Sequence, residues 1–271
     1  MPPPTSAQKA MAAQFMTITG ASERNSQRYI KSCGNDLQQA VNLFFFEKAH
    51  RSPQVLESPL NQSFDKLRVK AEDEKDALGV ESTMAYLESL GVNIENAEML
   101  IVAELLQTPS IGTITRKGYV DGWKALGLIT PQDHSAHVKS LVSKLATDSA
   151  LFRKVYRHTF AASKEDNQKA IPVETAVVYW DVLFSPPAWE WKTKSHDWLA
   201  LWKEFLEQKW TRSVNRDMWN QTLEFAIKTM SDETLSFWNE DGAWPSVIDA
   251  FVAWCKERGI GKSEAESMNF D

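Results

Sequence analysis

The chain has 271 residues, enough for one large domain or a small one followed by a larger one. With 43% hydrophobic and 24% charged residues it has a soluble, globular composition, and 30 basic against 36 acidic side chains leave −6 with no Lys/Arg cluster, which excludes nucleic acid as an expected ligand. No apolar run approaches the roughly 20 residues that span a bilayer, the start MPPPTSAQK has no apolar signal core, and Cys33 and Cys255 make no disulfide framework, so a reducing compartment, cytoplasm or nucleus, is expected; the chain is also expected to be a monomer.

Residues 6–47 read as three short helices. The first carries Met11, Phe15 and Ile18 at spacings of four and three and ends at Gly20. A second begins near Ser22, a good N-cap, and stops at Cys33-Gly34. The third begins at Asp36, with Gln39 placed to return the capping bond, and is expected to bury Leu37, Val41, Phe44 and Phe45. The stretch KAHRSPQVLESPLNQS, 48–63, has two prolines and little periodicity and reads as a linker. A larger domain is expected over 64–259 and a tail over 260–271.

From Phe64 onward the patterns are again helical, and the fold class is all-α. Short strand pieces suit only Leu78 to Val80 and Gly112 to Ile114, while Thr115, Pro131, Ser135, Pro172, Ser195 and Ser213 mark helix starts, about eight or nine helices in this part of the chain. Ten of the eleven tryptophans fall between Trp180 and Trp254, several at helical spacing, which predicts an aromatic core. In EDGAWPSVIDAF, 240–251, Gly242 breaks the chain and Pro245 opens a helix whose Val247, Ile248, Phe251, Val252 and Cys255 form one apolar stripe. Ala243 and Asp249, at its edge, suit either a solvated turn or a contact surface.

The chemistry-bearing residues do not assemble into an expected active site. His134 and His137 are close in sequence but have no carboxylate or cysteine partner, and no GxSxG, HExxH, phosphate-loop or dinucleotide motif is present. Both cysteines suit packing roles. EDEKDALGVEST, 72–83, places Glu72, Glu74 and Asp76 as calcium ligands would stand, but Ala77 replaces the required glycine and Thr83 the closing glutamate. With IGTITRKGYVDGW it reads instead as a pair of degenerate EF-hand-like helix-loop-helix units. Metal and cofactor are both expected to be absent.

The first unit resembles a ubiquitin-associated (UBA) domain. Gly20 and Gly34-Asn35 reproduce the separation between that family's Met-Gly-Phe loop and its Gly-Asn turn, and DLQQAVNLFF is similar to its third helix; Thr19 and Ala21 stand in place of the Met and Phe. Farther on, AVVYWDVLF, WLALWKEFL, SVNRDMWNQTLEF and EDGAWPSVIDAFVAW together resemble the potentiating-neddylation domain of defective-in-cullin-neddylation proteins. The loop SPPAWEWKTKSH, 185–196, is longer than in that family and is expected to alter a surface feature.

This resemblance implies a scaffold-type ligase without catalytic residues of its own. It would bind both a cullin and the conjugating enzyme of the cullin's ubiquitin-like modifier, bringing thioester and lysine together. Asp217, Ala243 and Asp249 would hold basic residues of the cullin's terminal winged-helix domain. An apolar pocket for the enzyme's acetylated N-terminal methionine would involve Met99, Leu100, Val102, Ala103, Leu106, Ile111, Ile114, Ala162 and Val182. Thr19, Gly20 and Phe45 would form a possible ubiquitin site. The rival readings are a ubiquitin-binding adaptor without a ligase role and a calcium-responsive helical protein; neither membrane nor nucleic acid is expected as a partner.

Overall fold

The structure, a computed structural model, describes residues 6–50, 53–69, 72–165 and 167–261. These form thirteen helices and two short antiparallel ladders, so the chain is all-α. Tertiary contacts group it into two compact units, one up to His158 and one from Thr159 on, a boundary inside the helix Ser149–Ala162. Of the tail expected at 260–271, residues 262–271 lie outside the described residues.

The first unit opens with a three-helix bundle, α1 (Ser6–Thr19), α2 (Glu23–Ser32) and α3 (Leu37–His50). Gly20 closes α1 with φ +68° and donates its N–H to Met16 O; Ser22 caps α2 through Asn25 N–H. Phe15, Tyr29 and Phe44 meet in the core with ring centroids 5.3–5.8 Å apart. Two residues expected inside are not there: Ile18 is 54% and Phe45 44% exposed, and Leu37 is only half-buried. Phe45 follows Phe44 by about 100° around the helix, so the narrow apolar stripe of a small bundle admits only one of them. The return bond expected from Gln39 is also not what closes α3. Asp36 accepts from Gln39 N–H at 2.9 Å, but its own N–H bonds to Cys33 O.

The stretch expected as a linker, 48–63, contains the end of α3 and most of α4 (Pro53–Leu67). Leu56, Leu60 and Phe64, four residues apart, are buried on its inner face, and α4 packs on α7 (Arg116–Leu126). The prolines had hidden this stripe: Pro53 starts the helix, where a missing N–H matters least, and Pro59 is tolerated within it because tertiary burial outweighs its lost hydrogen bond. Between them lie β1 (Ala77–Leu78), α5 (Val80–Ser89), α6 (Glu98–Leu105) and β2 (Ile114–Thr115), with Ala77 opposite Thr115 and Leu78 opposite Ile114 in antiparallel register. The ladder thus joins helix–strand–helix segments α4–β1–α5 and α6–β2–α7. Asp76 is occupied by protein donors: Arg116 reaches it with Nε at 2.7 Å and Asp65 with Nη2 at 2.6 Å, while its guanidinium lies over Phe64. Asp73 closes the same loop by accepting from Val69 and Gly79 N–H.

α6 and α7 meet at two glycines. A Cβ on Gly118 would stand 2.2 Å from Leu106 O, and one on Gly122 2.8 Å from Leu105 O. Gly118→Ala is therefore expected to destabilise the protein by about 2 kcal/mol, because overpacking against backbone exceeds the roughly 1 kcal/mol that alanine adds to helix propensity. A thermal melt showing a raised midpoint would contradict this close approach.

α8 (Pro131–Val142) brings His134 into the core of this unit. Its ring stacks on Trp123 at 3.9 Å, Nε2 donates to Leu128 O at 3.3 Å, and Nδ1 accepts from Tyr86 OH, which itself accepts from Trp123 Nε1 at 2.9 Å. This network needs neutral imidazole. Burial, the largest cause, pushes the His134 pKa down to about 4 from 6.5. Protons then bind the unfolded chain more readily, so the neutral ring's contribution is complete above pH 6.5 and is lost as pH falls toward 4. We expect this residue to remove about 3 kcal/mol over that window, measured as the difference in urea-unfolding free energy between the wild type and His134→Gln; parallel pH profiles would refute it.

The second unit contains the end of α9 (Ser149–Ala162), β3 (Ala170–Ile171), α10 (Val173–Leu183), α11 (Trp198–Lys209), β4 (Val214–Asn215), α12 (Arg216–Ser231) and α13 (Ser246–Glu257). β3 and β4 pair antiparallel, an unforeseen ladder too short to show alternation in sequence. α7, α8 and α10 start at or beside Thr115, Pro131 and Pro172, but Ser135 lies inside α8, and the caps of α11 and α12 are Asp197 and Asn215 rather than Ser195 and Ser213. The tryptophans do form a core: Trp180 stacks on Trp219 at 5.2 Å, and Trp202 meets Phe251 edge-on at 5.0 Å. The 185–196 loop, expected to be a surface feature, sinks Trp191 completely, with its Nε1 donating to Thr229 Oγ1 at 2.8 Å.

Candidate protein-binding sites

Asp217 is exposed in the first turn of α12 because Met218, Trp219 and Thr222 turn the opposite face inward. α12 and α13 pack through Phe225 and Phe251, whose ring centroids are 5.8 Å apart. Ahead of α13, Gly242 N–H bonds to Asn239 O, leaving Ala243 exposed, and Trp244 packs against Phe225 and Phe237. Asp249 is half-buried in the first turn of α13, where Trp238 Nε1 donates to its Oδ1 at 2.9 Å. Ala243 and Asp249 thus flank one helix start, and Asp217 stands at the start of the helix that packs against it. Acids at helix starts are stabilised by the positive end of the dipole, so they sit at the surface at little cost.

In the first unit a small cleft of about 20 Å³ is lined by Thr83, Leu87, Met99, Val102, Ala103, Thr108, Ile111, Gly112 and Ile114. Five of the nine expected pocket residues meet there. Leu100 and Leu106 are buried but do not line it, while Ala162 and Val182 belong to the second unit. The cleft has room for about one water, so a larger side chain enters only if lining residues move. Thr83 and Leu87, missed in the sequence, stand four apart on α5; that spacing was the available signal.

Thr19 and Gly20 are half-buried. The Thr19 hydroxyl donates to Phe15 O and accepts from Ala21 N–H, and Ala21 is buried. The next residues are tied to α8: buried Asp133 Oδ1 accepts from Ser22 N–H at 3.3 Å and from Asn25 Nδ2 at 2.6 Å. Phe45 presents its ring on α3. Among the described residues no group of three or more His, Cys, Asp or Glu is arranged to hold a metal, and no helix is long and apolar enough to cross a membrane.

A small three-helix bundle followed by further helices around an aromatic core makes this an all-α protein, and comparison with known families gives its class. The UBA-like domain model matches residues 9–47 and the cullin-binding model residues 133–254. Defective in cullin neddylation protein 1 of Pyricularia oryzae is 38% identical over 271 aligned positions, covering 96% of each chain. The protein of that name from Yarrowia lipolytica is 33% identical over 90% of this chain and 95% of its own, and human DCN1-like protein 4 is 28% identical over 73% and 70%. The chain belongs to the defective-in-cullin-neddylation family.

Proposed function

We propose that this protein is a scaffold that promotes transfer of the cullins' ubiquitin-like modifier from its conjugating enzyme to a cullin lysine by binding both. The observation that carries the reading is the acidic surface on the cullin-binding segment: exposed Asp217, small exposed Ala243, and Asp249 with one oxygen held by an indole. Such a surface suits the long stems and charged heads of a basic partner. The apolar cleft of the first unit receives the acetylated N-terminus of the conjugating enzyme.

Catalysis is by proximity and uses no side chain of this chain as nucleophile. Cys255 is fully buried, out of reach of a thioester partner, and that burial pushes its thiol up to about 12, away from the reactive thiolate. The adaptor alternative is less favoured because Thr19 and Ala21 are engaged within their own bundle.

The test is a reconstituted transfer with charged conjugating enzyme and a cullin C-terminal domain. Addition of the full chain is expected to accelerate modification, and a Cys33→Ser variant is expected to do so equally well. No acceleration by the wild type would overturn the scaffold reading, and loss of activity in the serine variant would replace it with a covalent one.

A further inference from the structure

α13 begins without a side-chain cap, since Pro245 occupies the N-cap position. A carboxylate in the first turn is favoured there by the positive end of the helix dipole. Asp249 is also gripped from outside its helix by Trp238 of the α12–α13 loop, whose Nε1 lies 2.9 Å from Oδ1. The loop that delivers this indole is itself secured. Asp232 accepts from Thr234 and Ser236 through both backbone and hydroxyl, buried Leu235 anchors the turn, and Trp238 N–H bonds to Leu235 O at 3.0 Å.

The same indole engages a second charged residue. Lys256 lies seven residues after Asp249, two turns along the same face of α13, and its Nζ is 4.4 Å from the centroid of the Trp238 ring. The ring edge therefore binds the acid while the ring face holds the lysine. Among the described residues Lys256 has no ion pair, and Asp249 keeps Oδ2 for an outside donor.

We propose that Trp238 is a positioning residue for partner binding: it orients the Asp249 carboxylate so that the free oxygen meets a Lys or Arg of the basic cullin domain. The inference rests on the reading of Asp249 as a cullin contact. Trp238→Phe keeps an aromatic ring for Lys256 but removes the N–H. It is expected to lower affinity for the cullin C-terminal domain about tenfold, the scale of one hydrogen bond to a charged group.

A double-mutant cycle on the full chain separates positioning from mere support of the loop. In an Asp249→Ala background the Trp238→Phe change is expected to alter affinity by less than about twofold, because the carboxylate it orients is gone. An equal tenfold loss in both backgrounds would overturn the positioning role while leaving Asp249 as a contact. Wild-type affinity of Trp238→Phe alone would also overturn it. Wild-type affinity of Asp249→Ala alone would instead remove the underlying reading of the site, and the inference with it. Near-ultraviolet circular dichroism unchanged by Trp238→Phe, apart from the lost indole signal, checks that the core tryptophans stay packed.

Discussion

Replacing Asp217 and Asp249 together by lysine is expected to lower affinity for a cullin C-terminal domain by more than about a hundredfold and to abolish stimulated modification, with the helical circular dichroism nearly intact. A charge-assisted contact is worth about 1.5–3 kcal/mol, and each reversed charge adds repulsion against the partner's basic groups, so two losses exceed about 3 kcal/mol. The fold has much less at stake. Asp217 is exposed, and surface substitutions change stability by roughly 0.5 kcal/mol, with helix-dipole terms of similar size. At Asp249 the Trp238 indole loses its acceptor, but Asp249 is only half-buried and water can replace it. Ala243→Arg is expected to act in the same direction by filling the approach to both acids. Calorimetric titration of the folded double variant decides the matter: wild-type affinity would mean that the two acids serve only their helix starts.

An acetylated N-terminal peptide of the conjugating enzyme is expected to bind more than about a hundredfold tighter than its unacetylated form. The cleft between α5, α6 and the Ile111–Ile114 segment is walled by Leu87, Met99, Val102, Ala103 and Ile114, and it has no charged residue among its lining to receive an ammonium. A free amine with an ordinary pKa near 8 is largely charged at pH 7, and burying it without a partner costs several kcal/mol. Opening the cleft to admit a methionine adds the same cost to both peptides and cancels in the comparison. Raising the pH to about 9 neutralises the free amine and should narrow the gap. Equal affinities at pH 7, or a gap that does not respond to pH, would contradict the proposed pocket.

Much of the local structure was legible in the residues because it depends on short-range demands. Gly20, Ser22, Thr115 and Pro131 marked helix ends correctly since a cap or a left-handed turn is imposed by the residue's own backbone and its neighbours within a turn. The all-α class, the tryptophan core and the family also came from patterns repeated along the chain. Asp217 was readable as an outward-facing acid because the stripe beside it, Trp219 with Leu223, is buried, whereas Asp249, beside buried Ile248 and Phe251, is half-buried.

Tertiary structure decided the features that depend on residues meeting across long separations. Helix α4 exists despite two prolines because Leu56, Leu60 and Phe64 find a hydrophobic core to enter, and the two-residue ladders exist because separate loops meet. Of the expected methionine pocket, the fold gathers Met99, Val102, Ala103, Ile111 and Ile114 in one cleft, adds Thr83 and Leu87, and leaves Ala162 and Val182 in the second unit. Trp238 gave no sign in sequence of its bond to Asp249, eleven residues on. Helical periodicity specifies which side of one helix is buried, but the partner of a loop side chain is set only when the loop closes, by the geometry of everything it is packed against.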